Sequence, residues 1–313
     1  MQWYLARRVV ATVPVVLVVA LFVFALLHLT PGDPAAVIAG DLASADDVAR
    51  IRAQLGLDRP FVLQFWEWFV RLLSGDLGRS IFSNLPVSRL IAQRLEPTIA
   101  LTVLTMIVAI VISVPIGVLA AWKAGTWVDR LVMGFSVLGF SVPIFVLGYG
   151  LIYLFAVRLE WLPVQGYVPI GTGMLPFLES LALPSVALGV VYVALIARMT
   201  RASMIEVLSQ DYIRTARAKG LANGPVLLIH GLKNAAIPIV TTIGIGVALL
   251  LGGVVVTESV FNIPGLGRLT VDAILRRDYP VIQGVILVFS LAYVLVNLIV
   301  DLLYTVLDPR IKY

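Results

Sequence analysis

Between two long apolar stretches the chain carries "DYIRTARAKGLANGPVLLIHGLKNAAIPIV", residues 211 to 240. Within it Arg214, Arg217, Lys219, His230 and Lys233 are clustered. Guanidinium and ammonium groups at this density can bind carboxylates, phosphates or carbonyls. Arg214 and Arg217 are three residues apart, so on a helix they project from neighbouring positions of one face. The other ionisable groups inside apolar stretches are few: His28, Glu258 and Asp301, each near the end of a run, where a polar head reaches water cheaply. For Asp301 an ion pair or hydrogen bond to a neighbouring helix is favoured over a proton relay. Two histidines and no cysteine leave no metal-ligand spacing and no nucleophile-base pattern. The dipeptide Gly-Lys is absent, so the phosphate-wrapping loop that an ATPase requires is absent too.

What must position the basic cluster follows from composition. Of 313 residues, 60% are hydrophobic and 13% charged, with a mean hydropathy of +1.01. Soluble domains carry about 25% charged residues, so this composition is that of a membrane protein. The net charge of +5 reflects loop Arg and Lys that set topology rather than a nucleic-acid surface. Without cysteine the chain gives no reading of redox compartment.

Six runs are long enough to cross a bilayer, which takes about 20 helical residues. They are Val9 to Leu29, Thr98 to Ala121, Leu131 to Val157, Leu181 to Met199, Ala235 to Val256 and Val281 to Leu307. The first is longer than a signal-peptide core and lacks a small-x-small site, so it reads as an uncleaved span. The expected fold is all-α, with six transmembrane helices. The expected organisation is a first transmembrane helix over 1–30, an extracytoplasmic helical loop over 31–93, a five-span core over 94–306 containing the hairpin 211–233, and a cytoplasmic tail over 307–313. An inside N-terminus places Arg7, Arg8, Lys123, Arg130, Arg198, Arg201, Arg214, Arg217, Lys219, Lys233, Arg310 and Lys312 in the cytoplasm. The short outer loops then keep Arg158, Arg268, Arg276 and Arg277.

Two helices are expected in the first loop. Ser44 and Asp47 open one with Val48, Ile51 and Leu55 on a face and Gly56 as its stop. Pro60 starts a second with an apolar stripe of Phe61, Phe65, Trp68, Phe69 and Leu72. Its aromatic content suits a membrane interface. Phe61, Phe65, Trp66 and Trp68 form either a lid packed on the outer mouth or a docking surface for another protein. In the third run Gly134, Ser141 and Gly148, beside Ser136, Pro143 and Gly150, form small-residue rows that let helices approach closely. Pro115, Pro143 and Pro238 are candidate bends. In the hairpin, Asp211 caps a short helix that Gly220 stops, and a second amphipathic helix with Val226, Leu227 and Leu228 against His230 and Lys233 leads to the fifth run.

Several segments together resemble a known family. "RTARAKG" at 214 to 220, followed by "NAAIPIV", is similar to the cytoplasmic coupling loop of ABC importer permeases, the Glu-Ala-Ala-x-x-x-Gly motif that docks on the ATPase subunit. Arg214 stands in place of Glu and Thr215 in place of the first Ala, and Pro238 lies further from Gly220 than in the general motif. These departures match the peptide and nickel branch. "TPGDPA" after the first run, "TESVFNIPGLGRLTVDAILRRDYPVIQG" at 257 to 284 and "DLLYTVLDPRIKY" at the end resemble the B-type permease of dipeptide and oligopeptide importers, over nearly the whole chain.

The resemblance implies a non-catalytic subunit of the bacterial or archaeal cytoplasmic membrane. Its implied partners are a C-type permease, two ATP-binding subunits or domains, an extracytoplasmic binding protein, a peptide substrate and membrane lipid. ATP and Mg would be held by the ATPases, with no cofactor in this chain. Arg214, Thr215, Ala216 and Gly220 fall on the coupling motif, and Asp211, Tyr212, Arg217, Lys219 and Leu221 are the implied neighbouring ATPase contacts. Nickel, glutathione or haem import is the alternative within the family, and a self-contained secondary transporter the alternative outside it. The latter would be expected to show inverted repeats, unwound half-helices or mid-bilayer charges, and none is evident. The charge distribution predicts that a single cysteine at Asn223 stays unlabelled by an impermeant reagent applied outside intact cells. One placed within 45–90 labels, and the reverse pattern overturns the orientation.

Overall fold

The computed structural model describes residues 2–29, 34–39, 44–54 and 57–307. The His28 side chain, most of "TPGDPA", Gly56 and the final "DPRIKY" lie outside the described residues. Among those described, all regular elements are helical, and extended pairing is limited to one isolated bridge between Arg79 and Pro86. The long helices are α1 (Gln2–Leu29), α5 (Val87–Trp122), α8 (Met174–Leu208), α11 (Lys233–Val260) and α13 (Tyr279–Leu307). In α1 the apolar run is Val10–Leu26. Shorter helices precede α5: α2 (Pro34–Ala39), α3 (Ala45–Gln54) and α4 (Phe61–Leu73). The last two match the helices expected from Ser44 and Pro60, and Pro60 occupies the N-cap of α4.

The third apolar run bends at Pro143 as expected, but so sharply that the single span becomes two helices. It is not one rod but α6 (Trp127–Ser141) and α7 (Ile144–Leu151), the latter prolonged by a π-helical segment, Ile152–Arg158, and the two halves meet at 102°. The cause is local. Pro143 disfavours helical backbone at the residue before it, and Val142 is extended at φ −88°, ψ 122°. Pro115 and Pro238, the other expected bends, sit inside continuous helices. With α1 and this broken pair, the six apolar runs each have a helical counterpart.

The chain divides into two compact units, Met1–Leu95 with Leu269–Val294, and Glu96–Arg268 with Leu295–Tyr313. In the second unit α8 is the central helix. Leu181, Leu188, Ile196 and Met204, spread along its length, are each inaccessible to solvent. Its neighbours approach where side chains are smallest. A Cβ on Gly117 of α5 would lie 2.7 Å from Thr200 Cβ and 2.8 Å from the Ala197 carbonyl. Gly139 of α6 faces Ala194 at 3.1 Å, and Gly253 of α11 faces Leu188 at 3.0 Å. Gly244 of α11 is pressed against Val300 of α13. Lipid is as apolar as leucine, so helices in a bilayer associate through such close contacts.

These glycines are not the rows expected from sequence. Gly148 does pack, since a Cβ there would lie 3.2 Å from Val260 and Phe261, but a Cβ on Gly134 or Gly150 would meet nothing within 4 Å. The break at Val142–Pro143 interrupts the helical spacing on which the rows depended.

In the first unit, Phe24 of α1 packs against Phe61, Phe65 and Trp68 of α4 with centroids 5.3, 5.5 and 5.4 Å away. Asp278, which is buried and lies between α12 (Leu266–Arg276) and α13, accepts from Ser80 Oγ at 2.6 Å and from the Ile81 amide at 3.2 Å. Gln283 of α13 donates to the Val23 carbonyl of α1 at 3.2 Å.

The glycine contacts predict an asymmetric pair of substitutions. Gly117→Val forces a branched side chain into Thr200 and the α8 backbone and lowers stability by about 1–3 kcal/mol. Gly150→Val, at an open face, leaves the melting temperature of the detergent-purified protein within about 0.5 kcal/mol equivalent of the parent. Equal melting of the two variants would refute the close-approach account.

Candidate coupling surface

The basic hairpin is built directly on the end of α8. After Leu208 the chain turns through Gln210, whose ψ of 149° leaves the helical region, and α9 (Asp211–Ala218) begins. Asp211 is the first helical residue rather than the cap, and Gln210 in the cap position makes no side-chain cap bond. A carboxylate in the first turn is still favourable to the helix dipole. Asp211 also lies 3.3 Å from Arg214, but both side chains are over three-quarters exposed, so water screens the pair.

The helix ends as the sequence requires. The Leu221 amide donates to the Ala216 carbonyl at 3.3 Å and the Gly220 amide to Arg217 at 2.9 Å, the paired bonds of a Schellman stop. Gly220 takes φ +83°, a conformation in which a side chain is strained.

One side of α9 roots the hairpin. Ile213 is fully buried, and α9 packs against the segment that follows. That segment corrects the expected second amphipathic helix. A single turn, α10 (Asn223–Pro225), passes into a π-helix, Val226–Leu232, that runs unbroken into α11. Val226 is fully buried, and Gly231 lies so close to α8 that a Cβ would stand 2.8 Å from Met204 Cε. The wider π turn swings Leu228 and Ile229 outward, each 60% exposed.

The other side is free. Asp211, Tyr212, Arg214, Thr215, Arg217, Lys219, Gly220 and Leu221 are exposed, and Ala216 is half-buried. All nine residues picked out from the sequence therefore share one knob. Partial burial pushes the Tyr212 phenol up, so it is a neutral hydroxyl donor at physiological pH. Sequence reading missed the anchors. Ile213, Val226 and Gly231 look unremarkable in an apolar chain, although Ile213 is the lone large aliphatic residue within α9.

A second anchor lies on α8 ten residues before α9. The Arg201 guanidinium grips Asp129 with two hydrogen bonds, Nη2 to Oδ2 at 2.7 Å and Nε to Oδ1. Asp129 is 4% exposed and also accepts from the Gly125 amide at 2.9 Å. This pair fixes the 123–126 turn to the end of α8 that carries the hairpin. Arg201, counted above only as a topology charge, thus has a structural partner. The signal available in sequence was an acidic residue, Asp129, in the first turn of an apolar helix.

At the opposite end of α8's unit, Glu258 is fully buried rather than reaching water, a correction to its reading as a snorkelling residue. It accepts from Thr98 Oγ1 at 2.5 Å and from the Arg268 amide at 2.9 Å, while the Leu266 amide donates to Thr98 Oγ1 at 2.8 Å. Gly265 and Gly267 have no room for a Cβ, the first against the Glu258 carboxylate and the second 2.6 Å from Val255 Cα. The "ESVFNIPGLG" run is therefore a carboxylate with the loop that closes over it. Nearby, Glu96 accepts from Tyr167 at 2.9 Å and the Ile170 amide at 3.2 Å, and burial together with Glu96 pushes the Tyr167 phenol up. No cluster of three or more metal-ligating residues occurs among the described residues.

Of the four aromatic residues proposed for docking on α4, Phe61, Phe65 and Trp68 lean on Phe24, and Trp66 points away from it at 61% exposure. Asp301 is half-buried on α13.

Residues 113–313 match the family described as binding-protein-dependent transport system inner membrane component, and residues 1–102 match its N-terminal family. The chain is 56% identical over 310 residues to a probable peptide ABC transporter permease of Sinorhizobium fredii, covering 99% of both. It is 47% identical over 310 residues to the glutathione transport system permease protein of Salmonella typhimurium, again covering 99% of both. A putative peptide transport system permease of Brucella melitensis is 47% identical over 307 residues, 98% of each chain. In fold it is similar to the MetNI methionine ABC transporter in an inward-facing conformation, with a TM-score of 0.57 at 21% identity over 71% of this chain and 97% of that one. The six apolar runs, the rooted basic knob and these full-length similarities lead to one assignment: the chain belongs to the family of inner membrane components of binding-protein-dependent transport systems, the permeases of ABC importers.

Proposed function

We propose that this chain is the B-type permease of an importer for small peptides in a bacterial or archaeal cytoplasmic membrane. Its relatives named for peptides and for glutathione, itself a tripeptide, support this substrate class. The observation that carries the mechanism is the hairpin: nine exposed or half-exposed coupling residues on a knob rooted by Ile213, Val226 and Gly231 beside Met204. The knob faces the cytoplasm, with both termini, and docks in a cleft of an ATP-binding subunit. Arg214 and Arg217 meet carboxylates or carbonyls there, and Tyr212, Thr215 and Lys219 supply further polar contacts. ATP and Mg belong to two ATPase subunits or domains, and a C-type permease completes the passage. An extracytoplasmic binding protein delivers the peptide, and selectivity resides mainly in it.

Transport is by alternating access. Closure of the ATPase pair on ATP displaces the knob, and the rooted contacts pass that displacement to α8 and α11. Coupling requires that knob contacts differ in free energy between inward- and outward-open states, because a contact equal in both shifts nothing. The Asp129–Arg201 pair stiffens the same end of α8, so the displacement is carried by the helix rather than absorbed by the 123–126 turn.

This reading predicts uncoupling without loss of the fold. Gly220→Val strains a φ of +83° by about 1 kcal/mol or more and misaims the knob. The pair Arg214→Glu and Arg217→Glu reverses its charge. Both variants still insert their spans but lose substrate-stimulated ATPase activity and uptake in the reconstituted complex. Stimulation and uptake at parental levels in both would reduce the hairpin to a topology anchor.

A further inference from the structure

Helix α4 has three sectors around its axis. At 100° per residue, Phe61, Phe65, Trp68 and Leu72 fall on one of them, and three of these four pack on Phe24 of α1. Gln64, Glu67 and Arg71 form a polar sector. Glu67 pairs with Arg59 at 2.6 Å, and Gln64 donates to the Arg59 carbonyl at 2.7 Å. The remaining sector, Val62, Leu63, Trp66, Val70 and Leu73, is wholly apolar yet lies open, at 75, 43, 61, 47 and 73% exposure. A helix facing water on one side and α1 on another has no reason to carry five large apolar side chains on a third.

We propose that α4 is an in-plane membrane helix whose Val62, Trp66, Val70 and Leu73 sector is seated in the bilayer, so that the covering partner is lipid. Two observations select lipid over a protein. The first is depth. Phe24, the contact point on α1, lies five residues before the helix end at Leu29, about 7–8 Å along the axis, so a helix leaning on it sits close to where the expected first span leaves the bilayer. The second is continuity and chemistry. The face of α1 outside the α4 contact is exposed and apolar through Val10, Val13, Leu17, Val18, Leu21 and Phe22, the pattern of a surface turned to hydrocarbon, and the open sector of α4 continues it. The open sector of α4 adds no hydrogen-bonding group except the Trp66 indole, the side chain favoured at membrane interfaces. A surface that repeatedly binds and releases a soluble protein carries a polar rim and polar contacts. On α4 those groups are gathered in the other sector. The inference rests on the membrane location of the chain and is independent of the substrate and coupling proposals.

The absence of native cysteine makes the test direct. Single cysteines at Val62, Trp66, Leu73, Glu67 and Arg71 are spin-labelled in the assembled transporter in nanodiscs of phosphatidylethanolamine and phosphatidylglycerol. Collision rates with oxygen and with a water-soluble nickel chelate are then compared. Oxygen contact is expected to exceed nickel contact at positions 62, 66 and 73, with the ratio inverted at 67 and 71. Nickel contact prevailing at 66 and 73 would place the sector in water and overturn the proposal. Low contact with both reagents and an immobilised spectrum there would show a protein cover, the companion permease or a docked binding protein, and would overturn it equally. Labelled variants are compared only where they co-purify with the full complex, and Leu63→Cys provides a second reporter should Trp66→Cys not assemble.

Discussion

In a bilayer two apolar helices gain nothing by leaving lipid for each other, so this molecule depends on how closely its backbones can approach. Everything in the larger unit is arranged around α8 for that reason. Gly117, Gly139, Gly253 and Gly231 bring four neighbouring segments to within a side chain's breadth of it, and Gly244 does the same between α11 and α13. Dispersion contacts of about 0.1–0.2 kcal/mol per atom pair accumulate only at such distances. The buried length of α8 and the exposed apolar faces of its neighbours are two sides of one constraint: small residues set the close approaches, and the large side chains of α8, Leu181, Leu188, Ile196 and Met204, are enclosed between them.

The same solvent explains where the polar groups went. A carboxylate within reach of hydrocarbon needs donors, and the two carboxylates buried among the described residues of this unit have them at its opposite ends. Glu258 takes a hydroxyl and a backbone amide, and Asp129 takes a guanidinium and a backbone amide. In each case the carboxylate organises a loop as well as joining helices, which is economical where irregular backbone would otherwise leave amides without partners. One end is thereby closed by the 261–265 loop and the start of α12. The other is stiffened beside the hairpin.

How much of this could be read from sequence follows the same physics. The spans, the α4 helix with its Pro60 cap and the Gly220 stop were legible, because each depends on local composition or on a conformation that few residues adopt. The packing glycines were not. Gly134, Gly139, Gly148 and Gly150 look alike in sequence, and which of them face a neighbour depends on how α6 and α7 are each rotated about their axes after the 102° turn at Val142–Pro143. Pro143 breaks its helix, with Val142 before it extended, while Pro115 and Pro238 lie inside continuous helices, and the residue type alone does not tell these outcomes apart. Glu258 misled for a related reason. Proximity to a helix end suggests water, yet the following loop folds back and excludes it. Within the hairpin the exposed cations were conspicuous and the buried Ile213 was not, since one isoleucine carries no signal in a chain that is 60% hydrophobic.

The asymmetry between visible cations and hidden anchors bears on how the hairpin can work. Exposed arginines alone make an adhesive surface, and an adhesive surface on a loose loop would bind a partner without passing any displacement to the spans. The Schellman stop at Gly220 limits how far α9 can re-aim, and Ile213 and Val226 limit how far it can roll. The π-helical stretch from Val226 to Leu232 then continues without a break into α11, so the hairpin has no slack hinge on that side. On the other side the two-residue turn at Ser209 and Gln210 joins α9 to α8, the helix against which the glycines of α5, α6 and α11 are packed. A push on α9 is thus delivered to the most deeply buried helix of its unit, which cannot yield alone without separating the close contacts that hold its neighbours.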